Sequence, residues 1–109
     1  DRTMTGVTPE DAAAALQQAG ADVIGANCGQ SIDAYVKLCA RLHAATSLPI
    51  WAKPNAGRAQ VEGEATVFKF APAGFAEFAP QLLAAGASFI GGCCGTSPAF
   101  IEAIRARVR

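Results

Sequence analysis

Apolar positions along the chain fall into two alternating patterns. In four stretches they recur at helical spacing, and between these stretches they crowd into short continuous runs. "SIDAYVKLCARLHAAT", residues 31–46, sets Ile32, Tyr35, Val36, Cys39, Leu42 and His43 near one face and predicts an amphipathic helix. "TPEDAAAALQQAG", residues 8–20, opens with Thr8 as N-cap and Pro9 at the first helical position, and closes at Gly20. "FAEFAPQLLAAG", residues 75–86, ends at Gly86, with Pro80 expected to kink the helix or displace its start. "SPAFIEAIRARVR", residues 97–109, has Ser97 as N-cap, Pro98 next, and a basic last turn that suits the helix dipole.

The runs between them, "ADVIGA" (21–26), "LPIWAKPN" (48–55) and "ASFIGG" (87–92), are too short for helices and are bounded by turn residues, so they read as buried parallel strands. The order is α-β-α-β-loop-α-β-α. Residues 56–71 are expected to form one long irregular connection, with a brief extended piece at "ATVFKF", of the kind that covers a site or lies beside one. This is α/β architecture, yet three strands are few for a closed domain. An eight-stranded βα barrel takes roughly 250 residues. The chain opens without Met in a polar turn ahead of a helix, and is read as about three βα units from the C-terminal part of a (β/α)8 TIM barrel.

Composition narrows the partners. Nine basic and nine acidic residues are scattered among 109, half of which are hydrophobic, so nothing marks a nucleic-acid footprint or an anionic membrane surface. A small uncharged partner fits better. No apolar run approaches the roughly 18 residues of a spanning helix, and the expectation is a soluble, cytoplasmic protein. Four cysteines in an Ala- and Gly-rich chain suit a reducing compartment, where metal binding, catalysis or core packing are their uses.

An internal repeat brings these cysteines into relation. "LQQAGADVIGANCG" (16–29) matches "LLAAGASFIGGCCG" (82–95) without a gap, aligning Cys28 with Cys94 and Asn27 with Cys93. Ligands of α/β folds gather at the C-terminal strand ends, here "NCG" (27–29), "KPNAG" (53–57) and "CCG" (93–95). Cys28, Cys93 and Cys94 at one rim look like three ligands of a Zn²⁺ site whose fourth position is open to water, substrate or the Asn55 amide oxygen. Taken singly, each part has a plainer reading: Cys28 as a small core residue, Cys93 and Cys94 as a strained disulfide or redox pair. The third cysteine at equivalent height favours metal. Cys39 reads as core and His43 as a surface or interface residue. Asn27 is expected to hydrogen-bond the loop or a ligand. Gly91, Gly92 and Gly95 are expected to supply backbone freedom and close approach.

At "GANCG" and "GGCCGT", with "KPNAG" between them, the sequence resembles the zinc-dependent homocysteine S-methyltransferase family over essentially the whole chain. That family includes the homocysteine-binding barrel of cobalamin-dependent methionine synthase and relatives that use betaine or S-methylmethionine. The resemblance implies that residues 1–109 are a partial homocysteine-binding barrel domain, strands six to eight, without strands one to five and most contacts to the homocysteine carboxylate and amine. It implies catalytic zinc on Cys28, Cys93 and Cys94, with Asn55 and Asn27 as substrate contacts. The reaction implied is methyl transfer to the homocysteine thiol, which metal binding keeps deprotonated, forming methionine. Methylcobalamin from another domain or chain is the expected donor, with betaine or S-methylmethionine as the alternative. The partners implied are the remaining barrel segment and corrinoid and folate domains. The fragment alone is expected to be inactive and to associate through its open edges. Another small thiol as acceptor, and a non-catalytic structural zinc or vicinal-cysteine redox module, are the rival readings.

Overall fold

The structure, a computed structural model, describes residues 2–57, 59–62 and 65–108. Helix α1 (Pro9–Gln18) begins where Thr8 caps it: the Asp11 N–H donates to the Thr8 hydroxyl at 3.2 Å, and Glu10 and Asp11 place negative charge in the first turn. Thr8→Ala is expected to cost about 1 kcal/mol and lower the melting temperature by about 4–8 °C in a thermal scan. Strand β1 (Ile24–Ser31) leads into helix α2 (Ile32–Ala45), which buries Ile32, Tyr35, Cys39 and Leu42 at helical spacing. Val36 is half-buried, while His43 is exposed and lies over Gly86, as suits a surface residue. The Arg41 guanidinium of α2 holds Glu10 of α1 through two bonds of 2.7 and 2.8 Å.

Strand β2 (Ile50–Asn55) follows. The connection after it is more regular than expected: the extended piece foreseen at "ATVFKF" is β4 (Ala65–Phe68), and it pairs antiparallel with an unforeseen β3 (Ala59–Glu62), Ala59 with Phe68 and Glu62 with Ala65. Four-residue strands carry too little alternation for their pairing to stand out in a sequence. The helix expected at 75–86 is likewise two pieces, α3 (Pro72–Ala76) and α4 (Ala79–Ala84). Pro80 accounts for the break: its ring meets the carbonyl four residues back in a continuous helix, so it stands in the first turn of α4 instead. Strand β5 (Ala87–Ile90) and helix α5 (Pro98–Val108) complete the order.

The main sheet is parallel, in the order β1-β2-β5, with Ile24 opposite Ile50 and Ile50 opposite Ala87. This is the α/β arrangement expected from the short buried runs. Ile50, Ala52 and Pro54 face the helices and are buried, together with Tyr35, Cys39, Leu42, Phe75, Leu82, Phe100 and Ile104. On the opposite face Trp51 and Phe89 remain 47% and 50% exposed, their ring centroids 6.0 Å apart. Among the described residues, β1 and β5 each pair on one side only. Among the described residues, no helix is long and apolar enough to cross a membrane.

Candidate metal centre

The C-terminal ends of β1 and β2, and the loop that follows β5, meet at one rim of the sheet. Asn27 of β1 pairs with Lys53 of β2, but the next partner of β2, Asn55, stands opposite Ser31. Without that shift Gly29 would have met Asn55, so two extra residues enter β1 between these points. Within the extra segment Cys28 has φ +58°, the one non-glycine left-handed residue among those described, and Gly29 follows at +69°. The Tyr35 hydroxyl of α2 donates to the Cys28 carbonyl at 2.7 Å.

After β5 ends at Ile90, the chain stays bound to β2. Gly91 N–H donates to the Ala52 carbonyl at 2.8 Å, and Cys93 N–H to the Pro54 carbonyl at 2.9 Å. The Cys94 carbonyl accepts from Ala56 N–H, and the Cys94 N–H donates to Asn55 Oδ1, both at 2.9 Å. Thr96 closes the turn: its hydroxyl and its N–H both donate to the Cys93 carbonyl, at 2.7 and 3.1 Å. Two of the three glycines meet the expectation for them. Gly95 has φ +80°, and a Cβ on Gly92 would lie 2.4 Å from the Thr96 hydroxyl oxygen. Gly91 is different, since a Cβ there would meet neighbours only at ordinary distances of 3.5 Å and beyond.

This turn explains how adjacent cysteines share one side. The strand has ended, so the alternation of side chains across a sheet no longer separates Cys93 from Cys94. The sulfur atoms of Cys28, Cys93 and Cys94 all lie within 4.8 Å of one another, with Cys28 Sγ 3.5 Å from Cys94 Sγ. Tetrahedral zinc at about 2.3 Å from each sulfur needs sulfurs about 3.8 Å apart. Donor type, number and spacing therefore fit Zn²⁺ with one position left for another ligand. Asn55, whose Oδ1 is bound by the Cys94 N–H, stands beside this cluster. Asn27 Nδ2 approaches Cys93 Sγ at 4.0 Å.

The thiols of Cys28 and Cys94 titrate as a pair. The Cys94 hydrogen bond, with help from the Gly29 backbone and the Asn55 side chain, brings Cys28 down to about 7. The same bond, and repulsion from a Cys28 thiolate, push Cys94 up to about 11. Cys39 lies elsewhere, 1% exposed in the core, and burial raises its thiol to about 11. Because burial alone separates Cys39 from the rim, Ellman's reagent is expected to reach Cys28, Cys93 and Cys94 in the folded, metal-free chain, Cys28 before Cys94, and Cys39 only after denaturation, with zinc protecting the three. Equal rates for all four would contradict this placement.

Sequence reasoning left two residues of the rim unassigned. Tyr35 carries the helical spacing of a core position, and nothing in that spacing reports where its hydroxyl goes. Thr96 adjoins the second cysteine motif, and that adjacency was the available signal. A cavity of about 300 Å³, with Thr8, Pro9, Gly25, Asn27, Cys28 and Tyr35 in its wall, opens beside the first motif.

The family pattern described as homocysteine S-methyltransferase matches residues 1–108. The methionine synthase of Mycobacterium tuberculosis (strain ATCC 25618 / H37Rv) is 32% identical over 95 residues, covering 86% of this chain and 8% of that protein. The homocysteine S-methyltransferase of Escherichia coli (strain K12) is 37% identical over 86 residues, covering 77% of this chain and 27% of that protein. Among solved structures, the metallated form of the homocysteine methyltransferase MmuM from Escherichia coli superposes with a TM-score of 0.71 at 33% identity, over 94% of this chain and 30% of that one. Its oxidised form gives 0.70 at 36% identity, with the same coverage. The chain thus spans less than a third of the length of these relatives.

Proposed function

Because the chain belongs to the homocysteine S-methyltransferase family, we propose that it forms strands six to eight of a (β/α)8 barrel and serves methyl transfer to the thiol of homocysteine, yielding methionine. The observation that carries this reading is the convergence of three thiols within 4.8 Å at the rim of the parallel sheet. Cys28, Cys93 and Cys94 would hold Zn²⁺. When bound, the metal supplies a Lewis acid that keeps a thiol sulfur deprotonated and nucleophilic at neutral pH.

The chain's own groups prepare that position. The bonds from Cys93 and Cys94 to β2 fix two sulfurs on one strand end, and the left-handed backbone at Cys28 directs the third. Asn55 holds the Cys94 backbone, and its amide oxygen or a water would stand at the remaining position until a substrate sulfur takes it. Asn27, beside Cys93 and in the wall of the adjoining cavity, would contact the substrate. The preceding five strands would contribute the contacts to the carboxylate and amine, and the reducing cytoplasm would keep the thiols free.

Methylcobalamin carried by another domain or chain is the donor favoured here, with corrinoid and folate domains as partners. Similarity to the mycobacterial methionine synthase supports it. Similarity to the Escherichia coli homocysteine S-methyltransferase supports the alternative, a small donor such as S-methylmethionine or betaine. Methionine formation by the completed barrel with each donor in turn separates the two.

The test of the site is zinc content per chain, purified under reducing conditions, followed by X-ray absorption at the zinc edge. One zinc with three sulfurs, rising to four on adding homocysteine, is expected. No zinc, or a sulfur number unmoved by the thiol, would replace this reading with a structural metal knot or a vicinal-cysteine redox module.

A further inference from the structure

We propose that Tyr35 is a positioning residue for Cys28: its hydroxyl bonds the Cys28 carbonyl and holds the left-handed backbone that aims this thiol at Cys94. The inference rests on the metal-site reading above and names a residue of α2 that belongs to neither cysteine motif.

Tyr35 is 2% exposed, and its ring is embedded in the core between sheet and helices. A phenylalanine would fill that space without a polar atom to satisfy, whereas a buried phenol must find a partner. The partner is the carbonyl of Cys28, at 2.7 Å, seven residues back along the chain. That carbonyl belongs to the segment where the ladder of β1 and β2 shifts by two residues, between Asn27 and Ser31, so it lies where regular strand pairing is interrupted. It also belongs to the residue with φ +58°, a conformation that side-chain-bearing residues adopt at a cost and keep only when their surroundings hold them. One hydrogen bond from a rigid core residue thus ends on the backbone whose conformation determines where Cys28 Sγ points.

The consequence is visible 66 residues away in sequence, where Cys28 Sγ meets Cys94 Sγ at 3.5 Å. Cys94 is fixed from its own side by the Asn55 side chain and the Ala56 N–H. Around Cys28, the thiol meets the Gly29 backbone and the Asn55 and Cys93 side chains, while the Tyr35 bond is the one described to its carbonyl. Hydrogen bonds that orient a metal ligand from behind typically carry about 10–100-fold in metal affinity.

Tyr35→Phe removes the hydroxyl and leaves the ring. The substituted chain is expected to melt cooperatively, and to bind zinc about 10–100-fold more weakly in competition with a chromophoric chelator. In a Cys28→Ala background the same substitution should change zinc affinity less than twofold, because Tyr35 acts through Cys28. A metal-free measurement accompanies this. In a Cys93→Ser background, oxidised glutathione accepts two electrons from the Cys28 and Cys94 thiols, one disulfide forms, and two glutathione thiols are released. Loss of the Tyr35 hydroxyl is expected to lower that equilibrium constant about five- to tenfold.

Unchanged zinc affinity together with an unchanged disulfide equilibrium would overturn the proposal, as would a loss equally large in the Cys28→Ala background. A Tyr35→Phe chain that fails to fold would overturn it too, by making the hydroxyl a support of the whole core. If the unsubstituted chain takes up no zinc, the metal-site reading fails, and the disulfide equilibrium alone decides on Tyr35.

Discussion

Replacing Cys94 by alanine is expected to weaken zinc binding about 100- to 1000-fold while the fold stands. Zinc bound by four protein ligands near neutral pH contributes on the order of 10–16 kcal/mol, so one thiolate carries about 3–4 kcal/mol, and each 1.4 kcal/mol is a factor of ten. Cys94 is exposed and is not among the described core residues, so its side chain is not expected to hold the sheet together. The substitution also removes the hydrogen bond that does most to lower Cys28, leaving that thiol harder to deprotonate. Competition against a chromophoric chelator measures the loss, and a change below threefold would remove Cys94 from the ligand set. The pH dependence has a definite sign. Zinc displaces protons from thiols, so affinity falls as pH falls, and below about 7, where Cys28 itself becomes protonated, the slope is expected to steepen by one further proton.

Phe75→Ala is expected to cost about 3–5 kcal/mol, a large part of the roughly 5–15 kcal/mol that holds a typical domain folded. Phe75 is completely buried, and its ring meets the edge or face of Phe100 at 5.3 Å between centroids, with planes at 86°. Such pairs add about 0.5–1.5 kcal/mol to the area they bury. Helix α3 is five residues long, too short to persist on helix propensity, so this packing is what keeps it in place. Urea unfolding followed by circular dichroism reads the effect, and a loss under about 1 kcal/mol would show that the α3–α5 contact is dispensable.

Much of this arrangement was legible in the sequence, and the limits had physical causes. Pro9 and Thr8 marked the start of α1 because a missing N–H and a capping oxygen each suit one end of a helix. The repeat around Cys28 and Cys94 sets two thiols at equivalent strand ends, and their sulfurs lie 3.5 Å apart. Pro80 pointed to a kink or a displaced start in the third helix, and the start is displaced to Ala79, but choosing between the two depends on packing that a single stretch does not contain. The extended piece at β4 was legible, but β3 and its pairing escaped notice because their register exists only between two segments, each too brief to show a period. Tyr35 escaped for a related reason. Periodicity reports which face of a helix is buried, and the direction of a hydroxyl at the end of a ring is set by the backbone it meets.

The parallel sheet also dictates an order of events in time. Ile24 must wait for Ile50, and Ile50 for Ala87, so no pairing in the main sheet can form between neighbours in sequence, and refolding is expected on the slow side for a domain of this size. On the ribosome, Cys28 is made long before the residues it joins, and the rim does not exist until residue 94 has been added and β5 has docked. On the proposed reading, zinc would meet all three thiols only after β5 has docked, too late to guide the pairing of β1 with β2. A metal captured too soon by the adjacent pair Cys93 and Cys94 would have to be shared with Cys28 before the native set is complete.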